Sequence, residues 1–436
     1  MDNVLIHIVS LGCEKNRVDT EHMLGLLSGS NAAIVDEPQD ADIIIVNTCG
    51  FIHEAKQESI DTILEMARYK DNGAKLIVTG CLAQRYADEL RDELPEVDAF
   101  LGVAGYSRLL EAVQSVLTGK KYLCCDRIDS DITQRVLTTP GHLAYVRIAD
   151  GCSNHCSYCA IPLIRGELKS RSMESVLSEI TDLRAAGVAE AILIAQDTTR
   201  YGMDTLNRRA LSELIDKAAK IMEGGWLRLM YCYPDGVTDE LIETMLRHGN
   251  VCKYIDLPLQ HFSDSVLARM KRRQTRDTTR KLVKKLHGAG FTVRTSLIVG
   301  FPGETQADFD IMMDCVKELK FERLGVFRYS PEEGTPAADM PGQVPDEVKQ
   351  ERYDALMGLQ EGISLSICEA QVGKITRVIV DGFDETTRIT IARSQAQAPQ
   401  VDGVTYVSTK KDLTPGSFHD VLITDAYEYD LLGELK

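Results

Sequence analysis

Three cysteines in one short loop form the densest group of chemically reactive side chains in the sequence. In the segment ADGCSNHCSYCAIP, Cys152, Cys156 and Cys159 have the spacing C-x3-C-x2-C, directly after an apolar run that predicts a strand. Thiolates this close together can hold iron, and cuboidal 4Fe-4S clusters usually have four cysteine ligands. A loop that supplies only three leaves one iron open to a non-protein ligand, and chemistry is expected at that open iron.

A zinc knuckle is the alternative interpretation of the same loop. Structural zinc sites usually combine two cysteine pairs, or add histidines that complete a tetrahedron. His155 lies within the loop, but the chain would have to bend it back toward the metal, so we interpret it as a solvated or packing residue. The spacing favours an iron–sulfur cluster.

A second group of cysteines is spread over the first 81 residues. Cys13, Cys49 and Cys81 each end a short apolar run, and more than 30 residues separate neighbouring members, so no single loop contains them. These runs alternate with helical patterns at about residues 19–27 and 57–69, which predicts parallel strands with helical crossovers. Because the carboxyl ends of parallel strands share one sheet edge, the three thiols could converge on a shared cluster. Coincidence is the alternative.

The rest of the chain divides into segments with different patterns. Residues 122–141 have mixed polarity and a Pro-Gly break, as expected of an interdomain connection. Over residues 142–367, about six apolar runs alternate with helical patterns, which predicts a parallel, partly closed barrel. Residues 368–436 show short alternating segments with turn residues, typical of a small antiparallel β barrel or sandwich. We therefore expect an α/β protein whose first domain spans residues 1–121.

Composition narrows the class of protein. The 436 residues are 44% hydrophobic and 26% charged, which excludes a small module and a disordered chain. The sequence has no long apolar run and no signal-peptide pattern, so we expect a cytoplasmic protein without a membrane partner. The net charge of -17 opposes nonspecific attraction to nucleic acid and favours basic partners. Twelve cysteines in a reducing compartment indicate metal or redox chemistry rather than disulfides.

The C-x3-C-x2-C loop, with an aromatic residue before its last cysteine and a barrel pattern after it, resembles the radical S-adenosylmethionine (SAM) superfamily. This resemblance implies that the open iron binds SAM, whose cleavage gives a 5′-deoxyadenosyl radical that abstracts hydrogen. Gly300 has a purely structural alternative as a left-handed turn, and Glu304 as a charge near a helix N-terminus. The positions that resemble the SAM-binding residues of that superfamily are Tyr158, Gln196, Asp197, Gly300 and Glu304.

Over essentially its whole length the chain resembles the methylthiotransferases, which combine such an N-terminal pattern, a radical SAM core and a terminal TRAM-like β domain in this order. The resemblance implies that Cys13, Cys49 and Cys81 bind an auxiliary 4Fe-4S cluster that delivers sulfur. The expected cofactors are therefore two 4Fe-4S clusters and SAM, with a second SAM as the methyl donor. An electron donor is an expected partner.

Several segments favour one branch of this family. LGCEKNRVDTE, KYIDLPLQH and FRYSPEEGTPAA resemble the branch that modifies an aspartate of small-subunit ribosomal protein twelve (the RimO type), although Glu14 stands where that branch often has Pro. The terminal domain has 7 basic and 11 acidic residues, which suits a basic ribosomal protein better than tRNA. An aspartate β C–H is too weakly acidic for a side-chain base, which fits radical chemistry. We predict methylthiolation of that aspartate, on or near the ribosomal subunit, without a direct tRNA substrate.

Two other functions stay open at this point: a tRNA adenosine methylthiotransferase with the same cofactors, and a non-catalytic iron–sulfur assembly scaffold that would not cleave SAM. Residues 269–285 contain nine Lys or Arg against one Asp, and form either a solvated helix face or a contact with ribosomal RNA or an acidic part of the substrate complex. The remaining cysteines are expected to pack in the interior, with a redox role open for the adjacent pair: Cys124, Cys125, Cys232, Cys252, Cys315 and Cys368.

Overall fold

A parallel sheet forms the first domain, in a computed structural model that describes residues 4–126 and 134–436. Its strands are β1 (Val4–Ser10), β2 (Ala32–Ile34), β3 (Ile43–Thr48), β4 (Lys75–Gly80), β5 (Ala99–Leu101) and β6 (Tyr122–Cys124). They lie in the order β2-β1-β3-β4-β5-β6, and every neighbouring pair is parallel. The connecting helices are α1 (Glu14–Ser28), α2 (His53–Ala67), α3 (Cys81–Glu93) and α4 (Leu109–Leu117), with 3-10 turns at Pro38–Asp40, Arg68–Asn72 and Gly105–Arg108.

The central strand β3 explains why this sheet is covered on both faces. All of its residues are buried, as expected for a strand between two helical layers. Ile43 and Ile45 pack into one hydrophobic cluster, whereas Ile44 and Val46 pack into the cluster on the opposite face. This is the period-two alternation expected of a strand. Because the neighbouring strands are parallel, their carboxyl ends, after which the cysteines lie, share one edge of the sheet.

Three details differ from the sequence-based expectation. Helices α1 and α2 begin about one turn earlier than their apolar periodicity, because their first turns are polar. Residues 122–124 form the edge strand β6, although they were expected in the connection, because three residues at an edge need no two-sided apolar pattern. Part of that connection, residues 127–133, lies outside the described residues.

The second domain is the predicted parallel, partly closed barrel. Its parallel strands are β7 (Leu143–Arg147), β10 (Glu190–Ile194), β11 (Trp226–Leu229), β12 (Tyr254–Asp256), β13 (Thr292–Val299) and β14 (Arg323–Arg328), and a short antiparallel pair is formed by β8 (Ala149–Asp150) and β9 (Lys169–Ser170). The parallel strands form the groups β11-β10-β7 and β12-β13-β14. A bridge between Leu227 and Val251 joins the two groups.

Helices alternate with these strands, as expected for parallel pairing. They are α5 (Ile161–Arg165), α6 (Met173–Ala185), α7 (Leu211–Ile221), α8 (Asp239–Arg247), α9 (Asp264–Arg269), α10 (Arg276–Gly288), α11 (Gln306–Leu319) and α12 (Asp346–Glu369), with 3-10 turns at Thr198–Arg200 and Pro234–Gly236. Several begin at hydroxyl caps, for example α10 at Thr275 and α11 at Thr305, each with a reciprocal capping box. Among the described residues, no helix is both long and apolar enough to cross a membrane.

The third domain is a closed barrel that follows α12. Its strands are β15 (Ile375–Asp384), β16 (Ile389–Ser394), β17 (Thr405–Ser408), β18 (Phe418–Ala426) and β19 (Leu431–Leu435). They close in the order β15-β16-β17-β19-β18, and only the β17–β19 pair within residues 368–436 is parallel. A ring with an odd number of strands cannot alternate direction at every pair, so one parallel contact is unavoidable. The expected antiparallel barrel is confirmed with this exception.

The three domains share buried contacts. One hydrophobic cluster contains Val18 of α1, Tyr145 of β7 and Ile379 of β15. Beside it, Glu190 accepts hydrogen bonds from Arg228 Nε at 2.7 Å and from Arg393 Nη2 at 2.8 Å, and all three side chains are buried. The amino-terminal and carboxy-terminal domains therefore pack firmly on the barrel.

Candidate active site

The C-x3-C-x2-C loop leaves the barrel at the end of β8 and returns through α5. Gly151 starts the loop with φ 71°, and a Cβ there would lie 2.0 Å from the Glu167 carbonyl oxygen, so only glycine fits. The Cys152 amide donates to the Gly166 carbonyl at 2.9 Å, and the Cys159 amide donates to the Cys156 carbonyl at 3.1 Å. All three thiols are half-buried on one compact loop.

A neighbouring segment of the basic stretch supports this loop. Ser157 donates from its amide to the Met270 carbonyl at 3.1 Å and from its hydroxyl to the Arg269 carbonyl at 2.7 Å. The buried Arg272 guanidinium lies 3.9 Å from Cys156 Sγ and stacks on the ring of Tyr233, 3.9 Å from its centroid. A fixed cation beside a thiol stabilises the thiolate form that binds metal.

His155 is an exposed residue of the cysteine loop. Its backbone is in the left-handed region at φ 52°, and its side chain is 59% exposed. The nearest acidic group is Glu167, at 3.5 Å from Nε2. This agrees with a solvated residue rather than a fourth ligand.

Burial raises the pKa of Cys152 to about 11 and that of Cys159 to about 12, so these thiols are protonated until metal displaces the protons. Within residues 4–126 and 134–436, no three His, Cys, Asp or Glu side chains are close enough to bind one metal ion. A cuboidal cluster holds its thiolates further apart than a single zinc ion does, because each thiolate binds a different iron.

The amino-terminal cysteines lie at the ends of three adjacent strands. Cys13 follows β1 and precedes α1, Cys49 follows β3, and Cys81 begins α3 directly after β4. Gly12 has φ 86°, and a Cβ there would lie 2.9 Å from the Cβ of Cys49, so the first two loops touch. The structure thus brings the three cysteine loops to one sheet edge.

Asn16 connects these three loops. Its amide nitrogen donates to the Leu11 carbonyl at 3.2 Å and to the Thr48 carbonyl at 2.8 Å, and its carbonyl oxygen accepts from Cys81 Sγ at 3.4 Å. Asn16 is fully buried. Burial raises the pKa of Cys81 to about 12, and it also raises the pKa of Cys49. Burial thus raises the pKa of Cys49 and Cys81 as it does that of Cys152 and Cys159.

Arg165 joins the two cysteine groups across the domain interface. It ends α5, directly after the barrel loop, and is buried. Its Nη2 donates to Asn16 Oδ1 at 2.7 Å and to Asp19 Oδ2 at 2.8 Å, and lies 3.8 Å from Cys81 Sγ. Cys81 also packs with Ala160, the neighbour of Cys159, in one hydrophobic cluster. The two cysteine groups therefore face each other across a thin interface.

A second connection runs along the loop after β11. Tyr231 donates its hydroxyl to Glu14 Oε2 at 2.5 Å, beside Cys13, and two residues later Tyr233 lies against Arg272. Burial raises the pKa of Glu14, but Lys15 and the Tyr231 hydroxyl more than offset it, so the pKa lies below its usual range. On the outer side, a cavity of about 450 Å³ opens beside Cys13; it is lined mainly by residues of the first domain, together with Thr138 of the connection and Gln400 of the third domain.

The positions that resemble SAM-binding residues mainly support the barrel loop. Gln196 donates from Nε2 to Asp150 Oδ1 at 2.8 Å, while its buried Oε1 has no hydrogen-bond partner among the described residues. Asp197 accepts from Asn154 Nδ2 at 2.7 Å and from the Thr199 amide at 3.0 Å, and burial raises its pKa. An orphaned acceptor at the end of β10 is a suitable contact for a polar ligand.

The loop after β13 closes on itself. Gly300 has φ 73° and donates its amide to Glu304 Oε2 at 2.9 Å, while Glu304 Oε1 accepts from Arg352 Nη1 at 2.7 Å. Tyr158 packs edge-on against Phe301, with 6.5 Å between ring centroids. Glu304 lies directly before Thr305, the cap of α11, and is buried by these contacts; its role toward SAM stays a prediction.

Three residues of this site were not singled out from the sequence. Asn16 and Arg165 act across the domain interface, and no spacing rule identifies such contacts. Arg272 belongs to the basic stretch, whose later part is the predicted solvated helix α10, with Thr279, Val283 and Leu286 buried. The helix begins only at Arg276, and the sequence pattern did not separate Arg272 from it.

Three family descriptions match consecutive parts of the chain. Residues 5–102 match the uncharacterized protein family UPF0004, residues 146–316 the radical SAM superfamily, and residues 372–435 the TRAM domain. The radical SAM match means that SAM and a 4Fe-4S cluster are cofactors of this chain.

Solved structures support the fold. The radical SAM methyltransferase TsrM from Kitasatospora setae, with cobalamin and a [4Fe-4S] cluster bound, gives a TM-score of 0.60 at 14% identity, over 86% of this chain and 81% of that one. The cobalamin-dependent SAM radical enzyme OxsB gives 0.53 at 12% identity, over 83% and 56% of the two chains. The predicted fold class is confirmed.

Much closer relatives cover the full length. A protein of Desulforamulus reducens is 48% identical over 99% of both chains, and one of Clostridium tetani is 46% identical over 99% of this chain and 98% of its own. Both are named ribosomal protein uS12 methylthiotransferase RimO. The chain therefore belongs to the radical SAM methylthiotransferases, in the family of the ribosomal protein uS12 enzymes.

Proposed function

We propose that this enzyme transfers a methylthio group to the β-carbon of one aspartate in ribosomal protein uS12. The observation that carries the proposal is the pair of cysteine groups that face each other across one interface, with Arg165 between them. Two separate three-thiol groups suit a reaction that needs both hydrogen abstraction and sulfur delivery. The names of the full-length relatives support the choice of substrate.

In this proposal Cys152, Cys156 and Cys159 hold the cluster that cleaves SAM. The chain contributes a rigid loop, fixed by Ser157, and the Arg272 cation beside Cys156. When bound, this cluster supplies one electron to SAM from an external electron donor. Around the site, the candidates for SAM contacts are Tyr158, Gln196, Asp197, Gly300 and Glu304, of which Gln196 offers an unpartnered acceptor.

The second proposed cluster is held by Cys13, Cys49 and Cys81. Asn16 keeps the three loops in register, and the Arg165 guanidinium reduces the repulsion among their thiolates. Cys13 is exposed and borders the 450 Å³ cavity, which supports access for a sulfur donor from that side. Arg165 thus contacts the amino-terminal group at Cys81 and pairs with Asp150, at the start of the barrel loop.

The domain limits are part of the proposal: residues 1–121 with the edge strand β6 (Tyr122–Cys124) for the auxiliary cluster, the rest of 122–141 for the connection, 142–367 for the radical SAM core and 368–436 for the TRAM-like domain. We assign the terminal domain to docking of uS12, because its excess of acidic residues suits a basic protein. Docking on or near the ribosomal subunit, in the cytoplasm, follows from the proposed substrate.

The basic stretch 269–285 gives little support to a tRNA substrate. Arg280 and Lys284 both pair with Glu318, and Lys285 pairs with Asp239. Surface charges that already have partners are less available to a phosphate backbone. A contact with ribosomal RNA beside the bound protein stays part of the proposal only for the charges outside these pairs and outside the pair of Lys281 with Asp277.

The test is the intact mass of uS12 after anaerobic incubation with the reconstituted enzyme, SAM, sulfide and a reductant. A modified tRNA is incubated in parallel. We expect a gain of one methylthio group on an aspartate of uS12 and none on tRNA. A gain on tRNA alone would instead assign the tRNA branch, and SAM cleavage without either product would refute both substrates.

A further inference from the structure

Lys15 is a buried cation beside the amino-terminal cysteines. It lies in the first turn of α1, two residues after Cys13, and only 7% of it is exposed. Its ammonium lies over the ring of Tyr231, 2.9 Å from the centroid. Tyr231 is fixed in the left-handed region at φ 60°, and its amide donates to Asp256 Oδ2 at 3.0 Å. A ring face attracts the charge but leaves the N–H donors of the ammonium without acceptors.

No carboxylate pairs with this ammonium among residues 4–126 and 134–436. Its neighbours differ: the buried Arg147 and Arg165 both pair with Asp19. Glu14, the adjacent residue, directs its carboxylate to the Tyr231 hydroxyl instead. Cys13, Glu14 and Asp256 act electrostatically on Lys15, but among the described residues none of them lies within ion-pair distance of its ammonium. A partly solvent-shielded ammonium without a direct anionic contact is a suitable partner for a carboxylate.

The ammonium lies on the Cys13 side of the interface, over a ring whose loop leads to the barrel cysteines. On one side is Cys13, two residues earlier in the chain. On the other side, the loop that carries Tyr231 continues to Tyr233, whose ring lies 3.9 Å from the Arg272 guanidinium beside Cys156. A substrate carbon that both groups must reach has to come close to this loop.

We propose that Lys15 binds the side-chain carboxylate of the aspartate that the enzyme modifies, an inference that rests on the function proposed above. The carboxylate is one bond from the β-carbon, so an ion pair with Lys15 fixes the reacting carbon as well. A compact ammonium on a flexible stem can follow the carboxylate during the reaction. Lys15 is thus a positioning residue that selects aspartate over a neutral side chain.

The carboxylate could also belong to SAM, which carries one on its methionine part. Lys15 is on the Cys13 side of the interface, whereas the SAM candidates Gln196 and Asp197 lie with the barrel loop. This separation favours the substrate. The experiment distinguishes the two sources by measuring SAM affinity alongside uS12 affinity.

The experiment uses the full-length enzyme with its clusters reconstituted, without reductant, so that no turnover occurs. Dissociation constants are measured for uS12 and for uS12 in which the modified aspartate, located by mass spectrometry, is changed to asparagine. The enzymes are wild type, Lys15→Met, Lys15→Arg and the matched control Lys281→Met. Lys281 lies on the exposed face of α10 and pairs with Asp277.

We expect the wild type to bind the aspartate form about 10- to 100-fold more tightly than the asparagine form, the range of one partly buried charged hydrogen bond. Lys15→Met should bind the two forms equally, Lys15→Arg should keep part of the ratio, and Lys281→Met should behave as wild type. Equal binding by the wild type, which requires no variant to fold, would overturn the inference.

Two other outcomes are decisive. If Lys15→Met keeps the wild-type ratio and loses affinity for SAM, the ammonium serves the SAM carboxylate and the inference is wrong. If the wild type does not methylthiolate uS12 at all, the proposed function fails first, and the inference on Lys15 fails with it. Iron content of each variant, measured before binding, shows whether its clusters are present.

Discussion

The barrel loop carries its three cysteines within eight residues, whereas the amino-terminal group takes one cysteine from each of three strand ends. The loop is held by backbone and Ser157 contacts to the segment beside it. The amino-terminal group depends on the sheet, on Asn16 and on Arg165 from the other domain. A local site therefore needs only its loop and nearest support, but a distributed site needs a complete domain and its interface.

The largest expected effect separates the roles of the two groups. Cys156→Ala should reduce SAM cleavage to background, because it removes a ligand of the cluster that cleaves SAM. Cys49→Ala should retain cleavage but give no methylthio product. The measurements are 5′-deoxyadenosine release by chromatography and the mass of uS12.

The matched control is Cys315→Ala, a buried cysteine of α11 outside both groups, which should retain both activities. Loss of SAM cleavage in the Cys49 variant as well as the Cys156 variant would contradict the division of roles.

Arg165→Met tests the connection between the groups. The substitution removes one ion-pair partner from the buried Asp19 and one from Asp150. We therefore expect the unfolding free energy to fall by about 3–5 kcal/mol. Anaerobic denaturant titration measures it. Arg108→Met removes an exposed ion pair with Glu111 and should leave the midpoint unchanged. If both substitutions change the unfolding free energy equally, Arg165 stabilises the protein no more than an exposed ion pair does.

Acid should destabilise the amino-terminal domain through His22 of α1. Burial, with Arg147 and Arg135 nearby, lowers the pKa of His22 to about 4, so the folded chain resists protonation that the unfolded chain accepts near pH 6.5. The neutral His22 therefore gives its full contribution to the unfolding free energy above pH 6.5. As the pH falls from 6.5 toward 4, the unfolding free energy decreases by about 1.36 kcal/mol per pH unit, or about 3 kcal/mol in total. The measurement is the unfolding free energy of wild type and His22→Gln between pH 7 and 4. The variant should show the smaller decrease, and parallel curves would refute this account.

The smallest expected effect compares two asparagines. Asn16→Ala removes the links among the amino-terminal loops, and Asn154→Ala removes the contact of the barrel loop with Asp197. Each should cost about 1–3 kcal/mol, since buried partners are left unsatisfied. Iron content should fall to about half in each case, with SAM cleavage retained only in the Asn16 variant. The same loss of cleavage in both would show that the two sites are not independent.

The sequence predicts the placement of cysteines better than the contacts that hold them. Strand-helix alternation was sufficient to bring Cys13, Cys49 and Cys81 to one sheet edge, because parallel topology determines where strands end. It could not identify Arg165 or Lys15, because their partners are distant in the chain and their roles depend on side-chain packing between domains. The number of charges in residues 269–285 likewise could not separate the buried Arg272 from the exposed Lys281, because a count carries no information on burial.

The hydrophobic cluster that contains Val18, Tyr145 and Ile379 has a consequence for how the molecule unfolds. Each domain contributes side chains to the same apolar interior, so removing any one would expose that interior and the Glu190–Arg393 pair to water. Sequence families divide the chain into three modules, but its thermodynamic unit is larger than any of them. A calorimetric scan should accordingly give one cooperative transition, and an excised barrel should aggregate rather than fold.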